Sequence, residues 1–229
     1  MLKYVTSSVA ALAVALVSIS AAAAVTGGGV DGDAHPYVGA LLVDGSVECS
    51  GVLVAPAVWA TAGHCGAAGT RVAVSFDATL TAGSGFLGGT LVVDQTRGAD
   101  LAVVLLDAPA QVAPARLPAA DSVGSIGKGA LVTTVGYGYS ARASDGSFVY
   151  DGLRHVASSP VAKVSKSMLS LSTLTAGPCL GDSGGPQLLG STVVSLTSSG
   201  SKDCAGKAEG YRLDTPAARA FLSRFVALP

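Results

Sequence analysis

The stretch CLGDSGGP, residues 179–186, places one serine, Ser183, inside a short loop that is rich in glycine. Glycine adopts backbone conformations that residues with a Cβ atom resist, so Gly181 and Gly184 allow the loop to turn its backbone N–H groups inward. N–H groups aimed at one point stabilise a negative charge that develops there. The loop therefore has the composition needed to present an oxygen nucleophile. A serine hydroxyl is a weak nucleophile by itself and requires a base within hydrogen-bonding reach.

The chain contains three histidines that could supply this base. His64 lies in the turn TAGHC, residues 61–65, beside a cysteine that a disulfide would anchor. His35 precedes a proline, in a segment that we expect to be a solvated loop. His155 lies in an alternating pattern that predicts a strand and a solvent-facing side chain. His64 is therefore the best candidate for the base.

An imidazole base needs a carboxylate on its other nitrogen, which sets the tautomer and stabilises the imidazolium. Asp100 stands directly before the apolar run LAVVLL, residues 101–106, so it lies at the mouth of a predicted buried strand. Taken alone, Asp100 would be interpreted as an ordinary strand-start aspartate. Asp94 and Asp107 bracket it and have the same chemistry, but they lack its position.

Together, the residues TAGHC, DLAVV and CLGDSGGP resemble the His, Asp and Ser motifs of the trypsin/chymotrypsin-like serine proteases, in that family's order. The resemblance covers essentially the whole chain after residue 24 and is that of a secreted, bacterial- or fungal-type member with two disulfides. It implies an all-β fold of two antiparallel six-stranded β-barrels, with a C-terminal α-helix and an active site in the crevice between the barrels.

The resemblance also assigns roles to single residues. Ser183 would attack the peptide carbonyl, His64 would take and return its proton, and Asp100 would orient His64. The backbone N–H groups of Gly181 and Ser183 would form the oxyanion hole. Ser195 resembles the family's serine that supports the catalytic aspartate, although a plain strand-edge serine is the alternative.

Specificity is expected from a primary pocket. By resemblance, its floor falls near Gly177, and its walls fall near Thr197 and Gly210, with Ser195 close by. Gly177 stands where trypsin-type members have an aspartate, which favours an apolar or small substrate side chain. If Glu209 rather than Gly210 faces the pocket, a buried carboxylate would instead demand a basic side chain. A solvent-facing Glu209 is the other possibility.

The N-terminus has the pattern of a secretory signal peptide. Lys3 precedes an apolar core at residues 9–17 and an Ala-rich stretch at residues 21–24. The core is shorter than the roughly 20 residues that span a bilayer, so we expect a signal at residues 1–24, secretion, and no membrane association after cleavage. The mature start at Val25 resembles the family's N-terminus, whose α-amino group pairs with the acid corresponding to Asp182. We hypothesise that signal peptidase itself creates this terminus.

All four cysteines lie after the signal, and an even number in a secreted chain indicates disulfides. Four cysteines allow three pairing schemes. The local scheme joins Cys49 to Cys65 and Cys179 to Cys204, and each of these disulfides closes a loop of modest length in its own half of the chain. No C-x-x-C pair supports a zinc site instead.

Charged residues make up 13% of the chain and the formal net charge is −1, which argues against a nucleic-acid partner. Thirty glycines and ten prolines indicate many turns between short strands. The expected domain is a peptidase over residues 25–229, with a first barrel at about 25–107, a linker at about 108–128, a second barrel at about 129–214 and a helix at about 215–226.

These observations predict a secreted serine endopeptidase with no cofactor and no metal. Its expected partners are polypeptide substrates and protein protease inhibitors, and we expect a monomer. Two other classes stay open: a non-catalytic binding module with the same fold, and an esterase-type serine hydrolase. The residues GDSGG match the Gly-x-Ser-x-Gly pattern of such hydrolases, but the β-rich context and the His-first order favour the protease.

Overall fold

The computed structural model describes residues 25–143 and 145–229, so the predicted signal peptide lies outside the described residues. Short antiparallel strands dominate. In the first half of the chain they are β1 (Gly29–Val30), β2 (Val38–Val43), β3 (Ser46–Ala55), β4 (Val58–Thr61), β5 (Arg71–Ser75), β6 (Leu87–Val93) and β7 (Ala102–Leu106).

Strands β2 to β7 close into the first barrel, in the order β2-β3-β4-β7-β6-β5. Asp44 and Gly45 form the tight turn between β2 and β3, and both have the positive φ that such a turn requires. The alternation in β5 directs Val72 and Val74 into the barrel core, beside the fully buried Trp59.

The strands of the second half are β8 (Leu131–Gly136), β9 (Ala141–Arg142), β10 (Phe148–Val149), β11 (His155–Val164), β12 (Met168–Thr173), β13 (Pro186–Leu189), β14 (Thr192–Gly200) and β15 (Gly206–Arg212). Six of them form a second closed barrel, in the order β8-β11-β12-β15-β14-β13, because β8 also pairs with β11. Strands β9 and β10 form a separate two-stranded hairpin. The predicted all-β fold of two six-stranded barrels is therefore confirmed.

The two barrels share one apolar interface. Val52 and Leu101 of the first barrel belong to the same buried cluster as Leu196 and Leu213 of the second half. The C-terminal helix α1 (Pro216–Leu222) adds its buried Phe221 to this cluster. Burying these side chains stabilises the arrangement of the barrels, and with it any site that both contribute to.

Two predicted boundaries need correction. Strand β1 pairs with β11, so the segment that precedes Val38 lies on the second barrel, and the prediction that the first barrel begins near residue 25 is wrong. Helix α1 begins as predicted, with Thr215 Oγ1 accepting a hydrogen bond from the N–H of Ala218. It ends at Leu222 rather than near residue 226, and the following N–H groups bond back to the last helical turn irregularly.

Disulfides join Cys49 to Cys65 and Cys179 to Cys204, which confirms the predicted pairing. In residues 25–143 and 145–229, no helix has both the length and the apolar character that crossing a membrane requires.

Candidate active site

His64 is held by a short 3₁₀ turn, residues 63–65, that directly follows β4. Its neighbour Cys65 is tied by the disulfide to Cys49 in β3. Gly63 packs so closely against the backbone of Leu101 that a Cβ atom there would lie 3.0 Å from the Leu101 nitrogen. These contacts fix the backbone, while the imidazole itself is 46% exposed and available to a reactant.

The structure brings His64 and Asp100 together. Nδ1 of His64 lies 3.0 Å from both carboxylate oxygens of Asp100, and the backbone N–H of His64 donates to Asp100 Oδ1 at 3.0 Å. The hydrogen bond to Asp100 raises the pKa of His64 above its usual 6.5, against the opposing effect of partial burial. Partial burial acts to raise the pKa of Asp100, but the hydrogen bonds that this carboxylate accepts outweigh it and the pKa is lowered.

The serine that supports Asp100 is Ser198, and the prediction of Ser195 is wrong. The Ser198 hydroxyl donates to Asp100 Oδ2 at 2.5 Å, whereas the buried Ser195 hydroxyl donates to Gln187 Oε1 at 2.6 Å. Side chains of a strand alternate between its two faces, so these serines point in opposite directions. A bulge in β14 between Thr197 and Ser199 adds a local shift that sequence alternation alone does not reveal.

The other two histidines lie elsewhere and are paired with other acids. Nδ1 of His35 lies 2.5 Å from Asp31 Oδ1, and Nε2 of His155 lies 3.0 Å from Asp151 Oδ2. The prediction of a solvent-facing His155 is wrong, because its side chain is fully buried in the second barrel. That burial lowers the pKa of His155.

The two carboxylates that bracket Asp100 also have other contacts. Asp94 accepts a hydrogen bond from the N–H of Thr96 at 2.9 Å. Asp107 forms an exposed ion pair with Arg71. Of these three acids, only Asp100 contacts His64.

The loop that carries Ser183 packs against the turn that carries His64. The N–H of Ser50 in β3 donates to the Ser183 carbonyl at 2.8 Å, and Cys65 Sγ lies 3.8 Å from the same oxygen. Gly184 has a φ of +77°, and a Cβ atom there would lie 2.1 Å from Thr61 Oγ1. This close approach requires glycine and places the nucleophile candidate beside the candidate base.

In the described part of the chain, no hydrogen bond joins the Ser183 hydroxyl to the His64 imidazole. Contacts of this kind are often long in an enzyme without substrate and tighten when the reactant binds. The structure thus pairs His64 with Asp100 and brings the Ser183 loop to the same turn.

The backbone of the loop presents two hydrogen-bond donors. The N–H of Tyr139 donates to the Leu180 carbonyl at 2.8 Å, and in a trans peptide this directs the N–H of Gly181 the opposite way. The N–H groups of Gly181 and Ser183 have no acceptor among residues 25–143 and 145–229. The predicted oxyanion donors are therefore available for an incoming charge.

Ser50 braces this loop and was not found from the sequence. Its hydroxyl donates to the Gly181 carbonyl at 2.9 Å and accepts from the N–H of Tyr137 at 2.8 Å. It is fully buried within an otherwise apolar part of β3. A lone hydroxyl in a buried apolar run is the signal that could have indicated a polar partner, because buried hydroxyls are hydrogen-bonded.

Asp182 is the fully buried member of the Ser183 loop. Its carboxylate accepts hydrogen bonds at 2.8 Å from the N–H groups of Gly138 and Cys179. Burial raises the pKa of Asp182 to about 7. No positively charged side chain of the described residues contacts it. Val25 is itself fully buried, and the N–H of Gly177 donates to the Thr26 carbonyl, so the predicted mature terminus is already buried against the second half of the chain.

A cavity of about 230 Å³ opens beside Ser183. Thr197, one of the residues predicted to form the primary pocket, lines this cavity. The other lining residues include Ser183, Leu180, Ser199, Gly200 and Lys202. Gly177 and Gly210 do not line it. A Cβ atom at Gly177 would meet Thr173, and one at Gly210 would meet Gln187 and Ser195.

Glu209 is not among the residues that line this cavity, although it lies opposite Ser199, which does line it. The hydroxyl of Ser170 donates to Glu209 Oε2 at 2.7 Å, and the ammonium of Lys207 pairs with Oε1. Glu209 follows the alternation of β15, which directs its side chain away from the face that Gly210 presents to Gln187.

One group of residue types that could bind a metal occurs among the described residues, namely Cys49, His64 and Cys65. Both of its sulfur atoms are joined in the disulfide, so they are not thiolate ligands.

Comparison with known proteins agrees with this geometry. The family model described as trypsin matches residues 25–221. A curated protein named Trypsin, from Saccharopolyspora erythraea, is 30% identical over 194 residues, which cover 75% of this chain and 83% of that protein. The solved structure of HL collagenase superposes with a TM-score of 0.72 at 18% identity, covering 86% of this chain and 96% of that one, which supports the fold. The chain therefore belongs to the trypsin family and is a serine endopeptidase of the trypsin/chymotrypsin type.

Proposed function

We propose that the protein is a secreted endopeptidase that cleaves polypeptides through an acyl-enzyme intermediate, with Ser183, His64 and Asp100 as its catalytic residues. The observation that carries this proposal is the contact of His64 with Asp100 on the same turn that holds the Ser183 loop. Two unpaired N–H donors in that loop complete the chemistry.

The reaction follows from the hydrogen-bond geometry. With Nδ1–H of His64 donating to Asp100, the lone pair lies on Nε2, which takes the proton of the Ser183 hydroxyl. The serine oxygen bonds to the peptide carbonyl carbon, and the N–H groups of Gly181 and Ser183 stabilise the oxyanion. His64 then gives its proton to the leaving amine as the C–N bond breaks. Water then takes the place of the amine. His64 removes its proton as its oxygen attacks the acyl carbon, and the proton passes to the Ser183 oxygen as the ester bond breaks.

An active-site label tests the proposal directly. A peptide diphenyl phosphonate loses phenoxide when a serine oxygen attacks its phosphorus, and the adduct is stable enough to map by mass spectrometry. We expect one adduct per chain, located on Ser183, with loss of casein hydrolysis in proportion to labelling. A non-catalytic binding module would take no label, and an esterase would label without cleaving casein. Either result would reject the proposal.

Substrate preference is expected to be for uncharged side chains before the scissile bond. None of the described residues that line the cavity beside Ser183 carries a carboxylate, and Lys202 lies at its wall. A basic side chain would lose hydration there without gaining a counter-charge. We expect kcat/KM for lysine or arginine anilides to be roughly 100-fold below that of the best uncharged anilide. A preference for arginine in this panel would contradict the assignment. In Lys202→Glu, the difference in kcat/KM between the uncharged and the basic anilides should become smaller.

Activation is proposed to result from removal of residues 1–24, because the new α-amino group of Val25 would offer the buried Asp182 a positive partner. Without that partner, the folded chain holds a proton on Asp182 up to a pKa of about 7, whereas the unfolded chain releases it near 3.8. The folded form then binds more protons between these values, so its stability falls as pH rises through this window. Above pH 7 the loss amounts to about 4 kcal/mol.

The comparison of two chain starts measures this effect. A form that begins at Val25 should exceed one that begins at Ala24 in free energy of unfolding by up to about 4 kcal/mol at pH 8, and the difference should vanish near pH 4. Urea denaturation across this pH range provides the values. With Asp182→Asn, the forms that begin at Val25 and at Ala24 should have the same free energy of unfolding at every pH. Equal stability of the two starts at pH 8, or a mature N-terminus elsewhere, would refute the activation proposal.

Secretion, a monomeric state and recognition by protein protease inhibitors remain predictions from the sequence. Polypeptide substrates follow from membership of the family.

A further inference from the structure

A second and larger cavity, of about 670 Å³, adjoins the Ser183 loop at Leu180 and Gly181. Both barrels build it. The first barrel half contributes Leu42, Val47 and Phe86, and the second contributes Tyr139 and Tyr150. We name this cavity the aromatic cleft.

The aromatic cleft is continuous with the proposed active site. Leu180 lines both this cleft and the small cavity beside Ser183, and Gly181, an oxyanion donor, lines the cleft. A peptide carbonyl held by the N–H groups of Gly181 and Ser183 would therefore adjoin both cavities. The small cavity takes the residue before the scissile bond under the proposed function. The chain that follows the bond must then enter the aromatic cleft.

The walls of the cleft are apolar and exposed. Phe86, Tyr150 and Leu180 have 47%, 45% and 53% of their surface exposed, although residues of this size are usually more buried. The ring of Tyr139 packs against Phe148 and Tyr150 with centroid distances of 5.7 and 6.0 Å, which holds the wall in place. None of the described residues that line the cleft is charged. Covering this surface with an apolar side chain is favourable, because apolar area leaves water. A charged side chain would lose its hydration there without gaining a partner.

We propose that the aromatic cleft selects substrates with a large apolar residue in one of the first two positions after the scissile bond, with Phe86 and Tyr150 as specificity-determining residues. The inference rests on the proposed function, because it needs a peptide cleaved at Ser183. It adds a second requirement to the substrate, separate from the residue before the bond.

Internally quenched peptides test the selection. Their residues before the bond stay constant, while each of the two positions after it is varied among glycine, aspartate, leucine and phenylalanine. We expect kcat/KM to be about 10-fold or more higher with leucine or phenylalanine than with glycine at the preferred position, and lowest with aspartate. In Phe86→Ala and Tyr150→Ala the ratio of the leucine peptide to the glycine peptide should fall towards one. Leu131→Ala, which truncates an exposed apolar residue outside the cleft, should keep the wild-type ratio.

A partition experiment isolates the cleft from the acylation step. The acyl-enzyme formed from a peptide ester is captured either by water or by an added amino acid amide, which binds where the leaving chain was. Leucine amide should capture more of it than glycine amide in the wild type, and the advantage should shrink in Phe86→Ala. If the wild type hydrolyses anilides yet shows no preference after the bond, the selection proposal fails alone. If it hydrolyses no anilide, the proposed function fails with it.

Discussion

Replacing Ser183 with alanine is expected to lower kcat for peptide hydrolysis by about 10⁶-fold, the loss typical of removing the nucleophile from a serine protease. The substitution deletes the oxygen that forms the acyl-enzyme, while the N–H donors of the loop remain. Steady-state hydrolysis of a chromogenic peptide, with active-site titration to normalise the wild type, provides the measurement. The residual rate should show no dependence on the His64 titration, because no proton is left for that base to take.

The fold should survive this change. The Ser183 hydroxyl makes no hydrogen bond to other described residues, so its removal deletes no stabilising contact. The midpoint of urea unfolding should therefore stay at the wild-type value. Ser125→Ala is the matched control, because Ser125 is exposed and lines neither this cavity nor the aromatic cleft. Activity of Ser183→Ala above about 1% of the wild type would mean that another residue is the nucleophile.

Replacing Asp100 with asparagine is expected to lower kcat by about 10⁴-fold at neutral pH. An asparagine can hydrogen bond to Nδ1, but it cannot stabilise the imidazolium and it favours the wrong tautomer. The pH dependence of kcat/KM provides a second test of the role of Asp100. In the wild type, kcat/KM should fall as pH drops through the pKa of His64, which the Asp100 hydrogen bond holds above 6.5. Without the carboxylate, this limb should move to lower pH.

Two serine variants provide the comparison for Asp100. Ser198→Ala removes one hydrogen bond to the carboxylate and should cost activity roughly 10-fold, the scale of a hydrogen bond to a charged group. Ser195→Ala should leave the pH profile and kcat near the wild type, because its hydroxyl bonds to Gln187. A larger loss with Ser195→Ala than with Ser198→Ala would contradict the arrangement around Asp100.

Several local features of the fold could be predicted because short-range rules govern them. The turn at Asp44 and Gly45 needs positive φ, and these residue types adopt it at low cost. Thr215 caps α1 because its hydroxyl accepts a hydrogen bond from the N–H of the third helical residue, Ala218. The end of that helix was predicted too far along, since tertiary packing and not the apolar spacing decides where the last turn frays.

The placement of particular side chains in the second barrel could not be predicted from alternation. Register decides which face a strand residue occupies, and one bulge reverses it. His155 was expected to face solvent and is buried, because it lies on the same face of β11 as Ala157 and Val161, which are buried in the second barrel. The same uncertainty affected Ser195 and Glu209, whose strands carry or adjoin the bulge in β14.

By itself, the sequence determined the family of this protein and its candidate catalytic residues: a serine between glycines, a histidine beside a cysteine, and an aspartate at the start of a buried strand, in that family's order. These signals are local, because glycine conformations and strand starts depend on neighbouring residues. Only the tertiary structure decided that Ser198 supports Asp100, that Ser50 braces Gly181, and that an aromatic cleft adjoins the site. Each of these joins residues far apart in the chain, and the pairing register that brings them together has no local signature.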